Sequence, residues 1–442
     1  MYKGWRSVSA LAAVTLAFTF GLAGPQAQAD RPANLAAWVR PDTAPYPADN
    51  PFTQAKLDLG KRLFTDKRLS GGNSMSCSSC HDPAKGFSDA RPRAVGEGGE
   101  AGPMHTPTLW NLAWTEQLFW DGRAGSLEKQ ALGPIANPIE MNQDLATLTA
   151  ELAGDRDLEA AFARAFPQDP VISLDNIAKA IAIFERTLVS PATPFDRWIA
   201  GDEGAISASA KRGFTLFDGR AACSNCHKGW AFTDGAFHDI GLPGTGPGRG
   251  GVVGHPELFN SWKTPTLREL GRSAPYMHDG SIADLKGVLR HYVSGAVHRP
   301  TLSRDLPHQL DLAEAEQADV LAFLATLDAD PTALPATVAA VSAVDPAPLA
   351  ANGPAPSRIE VSQQNTAFSV PGVRLRKGGT LVIHNEDTRV HNIRVFSADM
   401  DYDSGVQDPG QSVEVLFDKN GRFRAVCNIH PKMKMSVEVV EQ

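Results

Sequence analysis

Four of the five cysteines lie in two copies of the pattern Cys-x-x-Cys-His, at residues 77–81 and 223–227. Two thiols at this spacing can add to the two vinyl groups of haem, and the histidine that follows can place its imidazole on the iron. The competing interpretations are a redox cysteine pair, which needs no following histidine, and a zinc site, which needs more ligands at zinc-site spacing. The sequence therefore predicts two covalently bound haem c groups. They would be held by Cys77, Cys80 and His81 in the first copy and by Cys223, Cys226 and His227 in the second.

The fifth cysteine, Cys427, lies near the carboxyl end in a segment that also contains His430 and Met433, and His391 lies upstream. Two imidazoles, one thiolate and a weak axial thioether form the donor set of a type 1 copper site. A buried free cysteine with surface histidines is the alternative, but all four donor types occur here at workable spacing. We therefore predict one type 1 copper, and the spacing alone leaves Met435 open as the axial ligand in place of Met433.

An internal repeat surrounds the two cysteine motifs. Residues 60–64 precede the first copy and residues 213–217 precede the second, and both 106–109 and 264–267 read Thr-Pro-Thr-Leu, 15 positions before an Asp-Gly pair. Residues 51–328 otherwise contain helical patterns separated by long loops with Gly and Pro. We therefore expect two mostly α-helical c-type cytochrome modules in tandem, each too rich in loops to build a large core without something at its centre.

The clearest helix is predicted over residues 177–188, with Ser173 and Asp175 as candidate caps and Pro191 closing it. From residue 358 onwards the hydrophobic period changes to two, with short runs separated by Gly, Asn and Asp, which predicts a small β-sandwich. The alternating runs are 359–361, 373–375, 380–383, 412–415 and 436–439.

The amino terminus has the layout of a secretory signal. Lys3 and Arg6 precede an apolar run over residues 10–23, and Ala-Gln-Ala at 27–29 precedes Asp30. The run is short for a membrane span, so we predict cleavage after Ala29 and export to the periplasm, with an uncleaved anchor as the alternative. Because no later stretch reaches about 18 uninterrupted apolar residues, we expect no stable membrane insertion after cleavage.

Composition excludes several classes of protein. Hydrophobic residues make up 42% of the 442 residues and charged residues 21%, which is typical of soluble globular chains rather than collagenous, wholly disordered or polytopic membrane proteins. The formal net charge of −8 argues against nucleic acid as a partner, because proteins that bind it carry concentrated positive charge.

Residues 51–327 resemble the bacterial di-haem cytochrome c peroxidases and their MauG-type relatives. The resemblance rests on both cysteine motifs and on the segments 59–64, 119–123, 127–131, 137–141, 184–188 and 274–280. The tail from residue 358 resembles cupredoxins, and its Cys-x-x-His-x-x-Met spacing looks like the amicyanin type, which favours Met433 over Met435. The residue patterns and the resemblance together predict a multidomain protein with the following parts: a signal peptide (1–29), an N-terminal peroxidatic haem domain (30–195), a C-terminal electron-transfer haem domain (196–328), an Ala- and Pro-rich linker (329–357) and a cupredoxin domain (358–442).

The resemblance also implies catalytic residues. Gln130 and Glu140 match the distal pair near the peroxidatic iron, where a carboxylate can accept the first proton of peroxide and return it to the departing oxygen, and an amide can orient the bound ligand. Trp120 matches the tryptophan that lies between the two haems, where an aromatic ring can relay charge. Without the family, Gln130 and Glu140 would be solvated surface residues and Trp120 an ordinary core residue.

Two departures from the classical peroxidases affect the expected chemistry. Glu97 stands where those enzymes have a histidine that blocks the peroxidatic iron, so we expect that iron to be open without prior reduction. Tyr292 stands where they have a methionine on the second haem, 14 residues after His278. A tyrosine there resembles the MauG type, and its anionic oxygen is expected to lower the potential of the second haem.

A third departure concerns calcium, which the family places between the haem domains. The carbonyl ligand positions correspond to Ser273 and Pro275, but the asparagine ligand position corresponds to His105. Calcium prefers oxygen donors, so the resemblance leaves calcium binding open.

These observations predict a periplasmic oxidoreductase that reduces hydrogen peroxide to water, with electrons relayed through a second haem and a tethered copper domain. The alternatives are MauG-like oxidation of a protein or small molecule with peroxide as oxidant, and a non-enzymatic carrier with two closed haems and one copper. The expected partner is a small redox protein or a quinol-derived electron donor, and a homodimer is left open.

Overall fold

The computed structural model describes residue 1 and residues 35–307, 310–333, 335–336, 339–342, 354–397 and 400–441. The predicted signal peptide and its cleavage site at Ala29 lie outside these residues, except for Met1. Residues 31–442 cluster as one compact unit. In the ranges given above, no helix has the length and apolar character needed to cross a bilayer.

Residues 54–324 carry the α-helices of the two haem modules. The helices are Gln54–Phe64, Cys77–Cys80, Leu127–Ala136, Leu145–Leu152, Arg156–Ala165, Leu174–Arg186, Pro194–Ile199, Ala208–Asp218, Gly248–Val253, Leu285–Arg290 and Glu314–Leu324. The helix predicted over 177–188 begins three residues earlier, because the Ser173 hydroxyl caps it by accepting the amide of Asn176, and it ends at Arg186.

The sequence repeat is also a repeat of helix packing. A Cβ atom on Gly60 would come within 2.1 Å of the Ala180 carbonyl oxygen, and one on Gly213 would come within 1.9 Å of the Asp319 carbonyl oxygen. Each glycine therefore lets the first helix of its module cross a later helix at close range. This packing explains why glycine opens both copies of the repeat.

The loops repeat in backbone conformation as well. Residues at equivalent positions, 158 apart, adopt the left-handed conformation in both modules. The pairs are Asn111 and Glu269, Phe119 and Met277, and Gly122 and Gly280, with φ between 61° and 76°. Isolated bridges close the same loop in each module, between Leu118 and Ala124 and between Tyr276 and Ile282. The tandem modules predicted from the sequence are thus equivalent in their loops and in their helix crossings.

The domain limits differ in detail from those predicted. The predicted limit at residue 195 falls inside the helix Pro194–Ile199, and Phe195 and Trp198 belong to the core of the second module. Trp38, which the predicted limits assign to the first module, packs edge-on against Phe195 and Phe214 of that same core. The second module therefore takes up an aromatic side chain from the amino-terminal segment, a contact that has no sequence signature.

Residues 358–440 form a β-sandwich of two sheets. In spatial order, the five-stranded sheet contains Asp401–Gln407, His391–Phe396, Gly421–Cys427, Lys434–Val440 and Gly372–Arg376, and the four-stranded sheet contains Ser412–Phe417, Gly379–Asn385, Arg358–Gln364 and Ala367–Phe368. All five predicted runs lie in strands. The strand His391–Phe396 was missed because its first two residues are polar and fully buried, which breaks the alternation.

The segment predicted as a linker contains a strand. Ala339–Ser342 pairs in parallel with Thr43–Tyr46, and the amide of Ala336 donates to the carbonyl of Val189 at 2.8 Å. The edge of the strand Thr43–Tyr46 presents backbone N–H and C=O groups, and the backbone of Ala339–Ser342 forms hydrogen bonds with them. At these residues the predicted linker therefore lies on the haem modules instead of extending freely.

Candidate functional site

The histidine of each cysteine motif is oriented in the same way. The Nδ1 atom of His81 lies 2.9 Å from the carbonyl oxygen of Phe87, and that of His227 lies 3.0 Å from the carbonyl oxygen of Phe232. Both phenylalanines have positive φ, 58° and 52°, which turns their carbonyls towards the rings. Donation from Nδ1 leaves Nε2 as the free ligand atom, and this is the usual way in which proteins orient a metal-binding histidine.

A cavity of about 800 Å³ occupies the centre of the second module. Cys223, Cys226 and His227 line it, and Tyr292 reaches it from the short π-helical turn His291–Gly295. The rest of the lining includes the apolar side chains of Phe217, Leu242, Leu289, Val293 and Leu324. Two thiols, an imidazole, a phenol and an apolar wall fit a covalently attached haem. Burial, reinforced by the nearby Cys226 and Cys223, raises the pKa of Tyr292.

The residues proposed as the distal pair lie on one helix and the turn that follows it. Gln130 is half-buried on the helix Leu127–Ala136, and Asn137 caps that helix. The Asn137 side-chain amide donates to Glu140 Oε1 at 3.1 Å. Burial raises the pKa of Glu140, against the opposing charge of Arg123 and this hydrogen bond, so this carboxyl group holds a proton more readily than an exposed one.

Glu97 lies on a separate loop that is hydrogen-bonded to the turn of Glu140. Its amide donates to the carbonyl of Glu140 at 2.8 Å, and its carboxylate accepts from the amide of Gly72 and the hydroxyl of Ser74, both at 2.8 Å. Although desolvation opposes the shift, the bonds from Ser74 and Gly72 lower the pKa of Glu97. The loop that carries Glu97 is thus fastened beside the Glu140 turn and the approach to the first cysteine motif.

Trp120 connects the two modules. Its indole Nε1 donates to the carbonyl of His105 at 2.8 Å, and its own carbonyl accepts from the amide of Lys263 at 2.8 Å. Its side chain also lines the cavity that contains His227 and Tyr292. The tryptophan predicted to lie between the haems is therefore at the boundary of the second haem cavity.

His391, Cys427 and His430 meet in the interior of the β-sandwich. The Cys427 Sγ atom lies 3.6 Å from Nδ1 of each histidine, and the two Nδ1 atoms lie 3.1 Å apart. The point equidistant from the three atoms is about 2.0 Å from each, which is a metal-to-ligand bond length. Amides of Asn392 and His430 donate to the sulfur at 3.5 and 3.4 Å, and Asp387 holds Nε2 of His391 at 3.3 Å. This buried set of soft and imidazole donors fits copper.

The two candidate axial methionines differ in backbone position. The amide of Met433 donates to the carbonyl of His430 at 2.9 Å, and the carbonyl of Met433 accepts from the amide of Cys427 at 3.0 Å. Met435 already lies in the strand Lys434–Val440, where it pairs with Ala425. Met433 therefore belongs to the loop that carries His430, which favours it as the proposed axial ligand.

The copper-site loop packs against the second haem module. The amide of Phe237 donates to the carbonyl of Ile429 at 3.2 Å, and Pro431 and Lys432 form part of the wall of the haem cavity. Leu258 of the haem module packs within the hydrophobic core of the β-sandwich. The sandwich is thus held against the haem module by specific contacts, where the sequence predicted only a tether.

Arg249 is the residue that links three parts of the molecule. Its Nε atom donates to the carbonyl of Asn428 at 3.0 Å, its Nη1 atom donates to the carbonyl of Gly122 at 3.0 Å, and its guanidinium lies 4.6 Å from the Phe237 ring centroid. The side chain is 3% exposed. The sequence analysis missed this residue, because a single arginine in a Gly-rich segment carries no signal for its backbone partners.

His238 lies between the copper site and the second cysteine motif. Its ring centroid is 6.4 Å from that of His430, and its nitrogen, the Cys226 sulfur and a carboxylate oxygen of Asp234 all lie within 4.8 Å of one another. Its Nε2 atom is 3.0 Å from Asp234 Oδ2, and its Nδ1 atom is 3.2 Å from Ser303 Oγ. A lone histidine is not a recognisable motif, so the sequence analysis missed it too.

Comparison with known proteins covers the haem modules. A family model described as di-haem cytochrome c peroxidase matches residues 54–204. The methylamine utilization protein MauG of Methylorubrum extorquens is 46% identical over 310 residues, which are 70% of this chain and 88% of that protein. The cytochrome c551 peroxidase of Nitrosomonas europaea is 35% identical over 292 residues, covering 65% of this chain and 84% of that protein.

A solved structure described as a MauG-like protein associated with microbial copper homeostasis superposes with a TM-score of 0.61 at 32% identity, covering 68% of this chain and 95% of that one. The residues matched by the family model include the first cysteine motif, at 77–81. The chain therefore belongs to the di-haem cytochrome c peroxidase and MauG family, and it is an oxidoreductase that acts on peroxide with two c-type haems, joined to a C-terminal β-sandwich.

Proposed function

We propose that this chain is a periplasmic peroxidase that reduces hydrogen peroxide to water at the N-terminal haem, with electrons relayed through the second haem and a type 1 copper. The haems supply redox chemistry on peroxide, and copper supplies a one-electron site. The observation that carries the proposal is the packing of the loop bearing His430 against the wall of the second haem cavity, through Pro431 and Lys432.

Glu140 and Gln130 are the proposed acid-base and orienting groups of the peroxide site. The raised pKa of Glu140 suits a carboxyl that must take a proton and return it within one turnover. Asn137 fixes the position of that carboxyl through its hydrogen bond to Oε1. Trp120, held by the carbonyl of His105, is the proposed aromatic group between the modules.

The proposed relay uses the side chains between the copper donors and the second cysteine motif. His238 is buried, fixed by Asp234 and Ser303, and close to both His430 and Cys226. A rigid, hydrogen-bonded ring in this position provides a short packed route between the two sites. Calcium is not part of this proposal.

A second candidate is MauG-like oxidation of a protein or small molecule, with peroxide as oxidant. The observation that favours it is Tyr292, whose phenol lines the same cavity as His227, where an oxygen ligand would stabilise oxidised iron. Both candidates need an open first haem. The carrier alternative needs two closed ones, so an electron paramagnetic resonance spectrum with high-spin ferric haem would favour either enzyme over the carrier.

The copper relay is tested by adding peroxide to the holoprotein with copper reduced. We expect the blue absorption of oxidised copper to appear at a rate independent of protein concentration, because donor and acceptor share one chain. Cys427→Ser is the matched variant: it should remove the blue band and keep both haems. If copper stays reduced while peroxide is consumed, the copper relay is wrong and MauG-like oxidation becomes the leading candidate.

A further inference from the structure

His105 lies at the junction of the two haem modules and is 5% exposed. Its Nδ1 atom is 2.8 Å from the carbonyl oxygen of Arg91, in the first module. Its Nε2 atom is 3.1 Å from the carbonyl oxygen of Ser273, in the second module, and 3.4 Å from the hydroxyl of Ser88. The ring thus lies between backbone carbonyls of both modules, and it donates to both at once when each nitrogen carries a hydrogen, because a neutral imidazole has only one N–H.

The backbone of His105 makes two further bonds across the same junction. Its amide donates to the carbonyl of His278 at 2.8 Å, and its carbonyl accepts from the Trp120 indole at 2.8 Å. One residue therefore orients the inter-module tryptophan and holds the second module through both its backbone and its side chain. A shift of the His105 backbone would be transmitted directly to Trp120.

The donor set at this junction does not fit the calcium ion that the family resemblance implies. Calcium takes six to eight oxygen ligands at about 2.3–2.6 Å, and imidazole nitrogen is a ligand for softer metals. The position of the side-chain ligand is here occupied by a ring whose Nε2 atom lies at hydrogen-bond distance from Ser273, one of the expected carbonyl ligands. That carbonyl already has a partner on this chain.

We propose that His105 replaces the calcium ion: its imidazole ties the two haem modules together through the carbonyls of Arg91 and Ser273, and the junction needs no metal. His105 is a positioning residue in this proposal. It acts on the reaction through Trp120 and through the alignment of the modules, and not by contact with peroxide.

The test begins with the unmodified holoprotein. We expect elemental analysis to find no bound calcium after purification with calcium present. We also expect treatment with the chelator EGTA to leave the haem absorption and electron paramagnetic resonance spectra unchanged. One tightly bound calcium per chain, or a spectrum that changes with EGTA and recovers with calcium, would overturn the proposal without any variant.

Two substitutions then distinguish the loss of the His105 contacts between the modules from a general loss of stability. In His105→Asn, a side-chain oxygen returns beside the carbonyls of Ser273 and Pro275, so we expect this variant to gain calcium binding and a haem spectrum that responds reversibly to EGTA. His105→Ala should show an altered spectrum that calcium does not restore. His384→Asn, an exposed histidine of the β-sandwich, is the matched control and should behave as the parent.

If the spectrum of His105→Ala is identical to that of the parent, the imidazole does not hold the two haem modules together, and the proposal is overturned. An altered His105→Asn spectrum with no calcium bound would still support the tie, because the asparagine would then have lost the bridge without replacing it. None of these outcomes depends on copper, so failure here is distinguishable from failure of the proposed relay.

Discussion

Replacement of Arg249 by methionine should loosen the β-sandwich from the haem module. The methionine keeps much of the apolar volume but removes the donors to the carbonyls of Asn428 and Gly122, both bonded at 3.0 Å. Burial lowers the pKa of Arg249 to about 10, against the opposing charge of Asp121, so the group is charged at neutral pH.

Of these two bonds, only the one to Asn428 crosses from the haem modules to the β-sandwich, because Gly122 belongs to the first haem module. A hydrogen bond from a charged group contributes about 1.5–3 kcal/mol, so its loss destabilises the docked arrangement by that amount. At about 1.4 kcal/mol per factor of ten, the undocked population should rise roughly 10- to 10²-fold. The amide of Phe237, which donates to the carbonyl of Ile429 across the interface, should then exchange its hydrogen about 10 to 10² times faster.

Native-state hydrogen exchange, read by mass spectrometry on the peptide containing Phe237, is the measurement. Arg304→Met is the matched control, because Arg304 pairs with Asp408 across the same interface but the two side chains are 70% and 44% exposed. An exposed pair of this kind contributes at most about 1 kcal/mol, so its loss should change exchange by less than tenfold. Equal exchange in the Arg249 and Arg304 variants would refute the idea that Arg249 fastens the interface.

Three further outcomes are expected. Glu140→Gln should lower peroxide turnover by about 10² with haem content unchanged, and activity within a factor of two of the parent would remove Glu140 from the mechanism. Tyr292→Met should raise the reduction potential of the second haem in a spectroelectrochemical titration, whereas an unchanged potential would argue against a phenolate ligand. Burial raises the pKa of Glu185 to about 8, so the folded state binds this proton more tightly than the unfolded state and its stability falls as the pH rises towards 8. The urea midpoint should therefore decrease less between pH 5 and pH 8 in Glu185→Gln than in the parent. Equal decreases in the two proteins would contradict the raised pKa of Glu185.

The haem attachment sites could be predicted because the residues of each site are contiguous in the sequence. Covalent attachment needs two thiols and an imidazole within five positions, and this spacing survives any change in the rest of the chain. The repeat was equally visible, since Gly60 and Gly213 are required by the close helix crossings that both modules share. The candidate copper donors could be proposed for a similar reason, because three of the four lie within residues 427–433.

The contacts between domains could not be predicted in the same way. Arg249 binds backbone carbonyls, which every residue possesses, so the sequence does not identify Gly122 and Asn428 as the partners of Arg249. Trp38 was assigned to the first module by its position in the chain, yet it completes the aromatic core of the second. Non-local packing of this kind depends on shape and on hydrogen-bond satisfaction, for which a single sequence offers no pattern.

Docking changes the expected role of the copper domain. A freely tethered cupredoxin would present its copper-site loop to any partner, and its encounter with the haems would depend on linker length. Here His430 is 4% exposed, and the residues that follow it form part of the wall of the haem cavity. While the sandwich is docked, an external protein cannot reach that histidine, but the second haem module can. The arrangement therefore favours copper as an internal redox partner of the haems, and it requires that exchange with an outside donor use another surface or follow release of the contact that Arg249 maintains.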